Sequence, residues 1–340
     1  MAAPIFKARL EPSGREFPLR PDQSILNCAL RERILLQYGC RNGRCSSCKY
    51  LLLDGDVDFG KVSPYSLSEN EKEEGWALLC QARALSDLVI RDLDLRDRDD
   101  VTVITPRDTT AVVFELDQLN GSLWKLLLQL ADPLTFYPGQ FIELEVPGQS
   151  DNWRCYSIAS STTNSDRIEL VVKQIEGGAF SGRIGNLTRG YGLSLRGPYG
   201  MSYLRKGERP VLLVATGSGI APMLSILRTA AERHDPRIFQ FYYGARAESD
   251  LIYLSELHLL ANRIAHFSFK PTLSAPALGK PWHGNLGRVT QALQKEVSDA
   301  SLYDAYICGQ PEMCESVATL LLAKGLPENR IFRDDFYAAV

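Results

Sequence analysis

The sequence predicts a multidomain chain of α+β and α/β class, built from a small α+β domain, an antiparallel β-barrel and a parallel α/β domain. Three observations point there. Short strands around one helix-like stretch fill roughly the first 95 residues and carry four grouped cysteines. The middle alternates short strands with Gly and Pro turns, as small barrels do. The last third alternates apolar strands with helical stretches, which marks a parallel sheet. A chain of 340 residues has the length for two or three such domains.

Composition narrows the class. The net charge of −3 is slight, and no basic patch of the kind nucleic-acid binding needs is present. The longest apolar runs, such as Val211–Ala215, fall far below the ~18 residues of a membrane span. The opening MAAPIFKARLEPSG reads as strand and turn, not as an export signal, so a soluble, cytoplasmic protein is expected. Cys28, Cys155, Cys308 and Cys314 are scattered, as free thiols in a reducing compartment would be. His234, His258, His266 and His283 lack ligand spacing and read as surface or core residues.

The first domain, residues 1–95, holds a helical stretch at Ser24–Ile34, with Asp22 or Ser24 as its N-cap. Next come Cys40, Cys45 and Cys48 in GCRNGRCSSC, and Cys80 after 31 intervening residues. C-x4-C-x2-C followed by a distant cysteine is the plant-type ligand pattern of a [2Fe–2S] cluster. Three thiolates on one loop require tight curling, for which Gly39 and Gly43 supply permissive dihedrals. Small Ser46 and Ser47 separate the last two ligands, and loop N–H groups can aim at sulfur. A zinc site would more often show a second C-x2-C knuckle, and a chain this long has no need of disulfide staples. The charged run Arg91–Asp100 reads as a linker, or in its first half as an edge strand.

The second domain, residues 101–206, contains the strands VTVITP, AVVFEL, FIELEV, RIELVVKQI and LSLRGPYG. Arg154, Tyr156 and Ser157 end a strand with a cation, an aromatic ring and a hydroxyl together. Arginine can grip a pyrophosphate, and a tyrosine ring can lie against an isoalloxazine. Gly177 and Gly178 precede Ser181 at a helix start, where free N–H groups favour phosphate. Each motif alone is weak, since a strand end or a turn explains it; their succession within a barrel points to flavin.

In the third domain, residues 207–340, strand VLLVA runs into Thr216, Gly217 and the turn GSGIAP before a helix. Such a turn lets backbone approach a pyrophosphate, although it lacks the spaced G-x-G-x-x-G fingerprint. A later strand, DAYI, ends in Cys308 and Gly309. Ligands of open α/β sheets bind at the carboxyl ends of strands, where both motifs fall.

Taken in order, the four cysteines, RCYS, GGAFS, TGSGIAP and CGQPEM resemble the ferredoxin–NAD(P)H reductase superfamily. More narrowly, the chain resembles the three-domain reductase components of bacterial multicomponent oxygenases over essentially its whole length. The resemblance implies a β-grasp ferredoxin domain, an FAD-binding antiparallel β-barrel and an NAD-binding parallel α/β domain. It implies FAD rather than FMN, and electron flow from NADH through FAD and the cluster to an oxygenase hydroxylase component. By the same resemblance Arg154 holds FAD phosphate, Tyr156 packs on the isoalloxazine and Ser157 lies near its N5. Gly178 and Ser181 meet the pyrophosphate, while Thr216, Gly217, Cys308 and Gly309 surround the nicotinamide. Phe336 or Tyr337 covers the other flavin face; Asp335, where the family commonly has arginine, leaves the choice open.

A monomer is expected. NADH is expected over NADPH, because Glu248 and Asp250 follow a strand near where the adenosine ribose would sit, with Arg246 as the counter-argument. The electron is expected to leave from the cluster loop, around Arg41, Asn42, Arg44 and Ser46. A stand-alone reductase serving another acceptor, and a pure electron carrier, are the competing readings. The nucleotide motifs speak against the carrier, and the absence of any haem or substrate motif speaks against the stand-alone enzyme.

Overall fold

The computed structural model describes residues 5–92, 103–277 and 281–337. By contacts the chain divides into two compact units, Met1–Pro106 with Tyr337–Val340, and Arg107–Phe336.

In the first unit, β1 (Phe6–Glu11) and β2 (Glu16–Leu19) alternate inward and outward residues, burying Ala8, Leu10, Phe17 and Leu19. Helix α1 (Ile25–Arg31) is capped by Ser24, whose hydroxyl accepts from the Asn27 N–H at 3.3 Å. The helix is shorter than the sequence suggests: Arg33 turns to φ 56°, and Ile34 lies beyond the end. Strand β3 (Lys49–Asp54) follows, then β4 (Val57–Asp58) and α2 (Glu69–Glu73), whose capping box joins Ser68 and Glu71. Strands β5 (Trp76–Leu78), β6 (Arg83–Ala84) and β7 (Leu88–Arg91) complete the unit. The sheet order is β2-β1-β7-β3-β5, with β1 and β7 parallel and the other neighbours antiparallel. Arg91 ends β7, so the charged run begins in strand; most of the expected linker lies outside the described residues.

The second unit starts with β8 (Arg107–Gln118). Of the expected VTVITP strand, residues 101–102 lie outside the described region, and 103–106 form no strand. Strands β9 (Leu123–Leu130), β10 (Phe141–Glu145), β11 (Trp153–Ser157), β12 (Arg167–Lys173) and β13 (Gly192–Tyr199) follow. Their order is β11-β10-β13-β8-β9-β12, all antiparallel, and an Ile158–Leu170 bridge brings the two edges together as a barrel. Its interior is filled by Leu126, Leu128, Ile142, Leu144, Ile168 and Leu170, among others.

The α/β part comprises β14 (Val211–Thr216), α3 (Ile220–Glu232), β15 (Phe239–Ala245), α4 (Leu254–Arg263), β16 (Phe267–Leu273) and β17 (Asn285–Leu286). It continues with α5 (Val289–Glu296), β18 (Asp304–Gly309), α6 (Pro311–Ala323) and β19 (Ile331–Asp335). All neighbours in the order β17-β16-β15-β14-β18-β19 are parallel. Both faces are buried: Leu213, Ala215, Phe241 and Cys308 pack with α3 and α4, while Leu212, Val214, Tyr242 and Ile307 pack with α5 and α6. The chain reverses its direction of travel across the sheet between β14 and β18. In open α/β sheets a crevice forms at that point, beyond the carboxyl ends of the strands.

Candidate functional site

The cysteine region is built by strand ends. Cys48 immediately precedes β3, and β5 runs to Cys80 two residues beyond its end. Because β3 and β5 pair antiparallel, Lys49 against Leu78, the Leu79 N–H reaches the Cys48 carbonyl at 3.0 Å. Helix α1 holds the other side, with Ile25 and Leu26 N–H groups donating to Ala82 and Leu79 carbonyls at 2.9 Å. The loop is tightly curled: Arg41, Gly43 and Ser46 have φ of 56°, 75° and 58°. A Cβ on Gly43 would lie 2.6 Å from the Lys61 carbonyl, and one on Gly39 only 3.1 Å from Cys45 Sγ.

The thiols fall into two hydrogen-bonded pairs, Cys40 with Cys45 and Cys48 with Cys80. The Cys40 thiol and its N–H, 3.3 Å from Cys45 Sγ, hold Cys45 down to about 6. Cys80 is lowered by the Cys48 thiol, the Gly43 N–H and the Arg41 charge, and its neighbour Cys48 is raised. Among the described residues no three metal-ligating side chains converge on one ion. Two pairs of thiols, with backbone donors between them, suit a dinuclear cluster in which each iron takes two thiolates. Arg41 departs from expectation. Its side chain is buried, at 8% exposure, and donates from Nη2 to Asn27 Oδ1 at 2.9 Å, so it forms no part of an exposed rim. Arg44 and Ser46 remain partly exposed.

In the barrel the two phosphate-type motifs meet. Tyr156 on β11 lies 5.3 Å, ring to ring, from Phe180, which directly precedes the short 3₁₀ turn Ser181–Asn186. Gly177 has φ 72°, and a Cβ on Gly178 would lie 2.5 Å from Ser181 Oγ; the turn therefore leaves a bare backbone cradle. Arg154 is steered by Asn152 Oδ1 and by the Trp153 carbonyl at 2.9 Å. Burial pushes the Tyr156 phenol well up, so it stays protonated at neutral pH.

The glycine turn and Cys308–Gly309 meet at the carboxyl ends of β14 and β18. Ala215 pairs with Cys308, which brings Thr216 beside Gly309. Gly217 has φ 55° and opens a 3₁₀ turn that runs into α3. Any Cβ on Gly219 would sit 2.3 Å from the Cys308 carbonyl, and one on Gly309 2.5 Å from Thr216 Oγ1. Cys308 itself has no exposed surface; burial, and then the Asp334 charge, push its thiol far up.

Sequence reasoning missed Asp334. It pairs with Cys308 in register, and its carboxylate accepts from the Ser157 hydroxyl at 3.4 Å. Ser157 is 177 positions away, so nothing local could have shown this. The Phe336 N–H donates to the Gly309 carbonyl at 2.8 Å, and its ring packs on the core around α3. Tyr337 is half-buried and groups with the first unit. Asp335 is held by Arg333 Nη2 at 2.7 Å.

Three family models match the chain. They are a 2Fe-2S iron-sulfur cluster binding domain over residues 8–85, an oxidoreductase FAD-binding domain over 110–203 and an oxidoreductase NAD-binding domain over 213–319. The reductase component of propane 2-monooxygenase from Mycolicibacterium goodii is 34% identical, across 98% of both chains. The reductase component of phenol 2-monooxygenase from Pseudomonas sp. strain CF600 is 33% identical, across 98% of this chain and 95% of its own. The crystal structure of an Amycolatopsis cytochrome P450 reductase superposes with TM-score 0.89 at 32% identity, covering 98% of this chain and all of that one. No helix among the described residues is long and apolar enough to cross a membrane.

Proposed function

The chain belongs to the family of reductase components of multicomponent oxygenases, and from that premise we propose how its residues divide the work. It is an NADH-dependent flavin and iron–sulfur oxidoreductase that supplies electrons to an oxygenase component. When bound, FAD takes two electrons as a hydride and passes them on singly to the cluster. The rest of the task is placement.

Arg154 holds an FAD phosphate, and the bare backbone of Gly177, Gly178 and Ser181 receives the pyrophosphate. Tyr156 packs against the isoalloxazine, and Ser157 presents its hydroxyl near N5. Thr216, Gly217 and Gly309 line the nicotinamide side. Cys308 lies beneath them as a buried, neutral floor that excludes water. Phe336, tied to Gly309, covers the opposite flavin face in preference to Tyr337. Cys40 and Cys45 hold one iron, Cys48 and Cys80 the other. No side chain has to move a proton in the hydride step. The acceptor is the hydroxylase component of a mono- or dioxygenase acting on hydrocarbon or aromatic substrates, and the protein works as a monomer in the cytoplasm.

One observation carries the hydride reading. The Ser157 hydroxyl meets Asp334 at 3.4 Å, and Asp334 lies in register with Cys308 at the sheet's crevice. The flavin strand and the nucleotide turn thus open onto the same place. Cys45→Ser tests the partition. It is expected to abolish the cluster's visible and paramagnetic signals while NADH still bleaches the flavin at the parental rate. Loss of flavin reduction together with the cluster would overturn the separation of redox tasks.

A further inference from the structure

Helix α3 does two jobs along its length. Its N-terminus follows the glycine turn Gly217–Gly219, and its flank grips the turn that follows flavin strand β11. Arg228 stands eight residues beyond Ile220, about 12 Å along the helix. Its Nη1 donates to the Ala159 carbonyl at 2.9 Å and to Glu169 Oε1 on β12 at 3.1 Å. Its Nε and Nη2 fork onto both oxygens of Glu256 on α4, at 2.6 and 2.8 Å. The Arg228 and Glu169 side chains are each only 15% exposed.

Neighbouring residues extend the seam. The Thr162 N–H donates to Thr229 Oγ1 at 3.2 Å, and Arg233 Nη2 donates to Thr162 Oγ1 at 2.9 Å. Ser161 and Thr163 hydroxyls both donate to Glu232. The Tyr253 hydroxyl donates to Glu169 Oε1 at 2.8 Å. Tyr253 does so from a left-handed backbone, φ 60° and ψ 20°, which a bulky residue occupies only when its surroundings enforce it. It also closes the segment that contains Arg246, Glu248 and Asp250.

We propose that Arg228, with Tyr253 and Glu169, is a positioning residue for hydride transfer, fixing the nucleotide turn against the flavin strand. The inference rests on the reading that NADH reduces a flavin held by Arg154–Ser157. A bidentate guanidinium suits the task, because its planar fork fixes direction as well as distance. One helix then ties the Gly217–Gly219 turn to Ala159, two residues beyond Ser157. The same guanidinium joins α4 and its preceding loop to the barrel. A displacement of about 1 Å at a reacting pair costs up to ~10²-fold in rate, so the seam governs rate more than affinity.

The test uses the full-length protein loaded with FAD and cluster, as parent, Arg228→Met, Arg228→Lys and Tyr253→Phe. Stopped-flow mixing with excess NADH reads the limiting rate of flavin bleaching, and titration with NAD+ reads affinity. Rapid reduction of the parent establishes the underlying reading independently of the variants. Arg228→Met is expected to lower the limiting rate roughly 10- to 100-fold, and Tyr253→Phe about threefold. Arg228→Lys restores charge but not the fork and stays near the Met variant. FAD content remains parental and the NAD+ Kd stays within about threefold, the split expected of lost alignment. Hydrogen exchange, a readout apart from turnover, is expected to accelerate at the amides of residues 159–163. The nicotinamide–flavin charge-transfer band is expected to weaken. Limiting rates within twofold of the parent in both Arg228→Met and Tyr253→Phe overturn the proposal. So does a rate loss that only mirrors loss of FAD.

Discussion

Gly219 is the position where a single methyl group tests the geometry of the nucleotide site. Its backbone is ordinary, so strain does not arise from dihedrals; the obstacle is the Cys308 carbonyl, 2.3 Å from where a Cβ would stand. Ordinary contact begins at 3.4 Å, which leaves about 1 Å to be found by moving the turn or β18. Both are backbone, and both belong to the proposed nicotinamide site. Forcing a methyl into such packing costs about 1–3 kcal/mol. Over the unit Arg107–Phe336 this corresponds to a fall of roughly 2–12 °C in the thermal midpoint. A shift of about 1 Å in the turn also lowers hydride transfer by up to ~10²-fold. Gly219→Ala is therefore expected to retain FAD and cluster, melt earlier and bleach slowly with NADH. Stopped-flow reduction and calorimetry on the same preparation read the two effects. A variant that bleaches at the parental rate with an unchanged midpoint would show that the helix start does not set the nicotinamide's place.

Other outcomes follow from charge. NADH is expected to exceed NADPH in kcat/KM, because exposed Glu248 follows β15, and Asp250 turns its carboxylate to the Ala247 N–H at 3.1 Å; equal or higher kcat/KM for NADPH refutes this. Arg44→Glu is expected to slow delivery to the oxygenase at low salt, with the gap closing as salt rises and ferricyanide reduction unchanged. Arg41→Glu is expected to cost the cluster itself, since that buried side chain is bonded to Asn27 and its charge favours the Cys80 thiolate; an intact cluster spectrum counts against it. The Glu71 carboxyl is held down to about 2 by the Lys49 ammonium, with help from the Ser68 N–H. A depressed carboxyl stabilises the fold above its unfolded value of roughly 4.3 and loses that effect as pH falls toward 2. Glu71→Gln is expected to melt below the parent at neutral pH, with the difference shrinking through that window; a pH-independent difference would contradict the assignment.

Local spacing made the redox chemistry legible. The intervals among Cys40, Cys45, Cys48 and Cys80 are covalent facts, and a loop holding three thiols must curl whatever surrounds it. The glycines at 177, 178, 217 and 219 were equally readable, because the absence of a side chain is itself the signal. Alternation revealed most strands, and apolar strands such as Val211–Ala215 alternating with helical stretches announced the parallel sheet, which the structure buries on both faces. Others, β9 and β19 among them, escaped. LWKLLLQL lacks clean alternation, yet β9 alternates in the barrel because Lys125 runs outward to Glu115 and Asp117. FRDD shows no apolar alternation; as β19 it stays half-buried because Arg333 neutralises Asp335 beside it.

Direction of approach was beyond the sequence. Arg41 and Arg44 look alike in GCRNGRC, but φ 56° at Arg41 goes with a side chain buried against Asn27, whereas Arg44 stays partly exposed. Nothing local separates them. Partners distant in the chain were hidden for the same reason: Ser157 with Asp334, and Arg228 with Ala159, Glu169 and Glu256. The sequence determined which cofactors the chain can hold, since ligand type and backbone freedom are properties of short segments. Only the tertiary structure decided which side chains come together, Ser157 with Asp334 and Arg228 with Ala159, Glu169 and Glu256. Those depend on packing between segments that no spacing records.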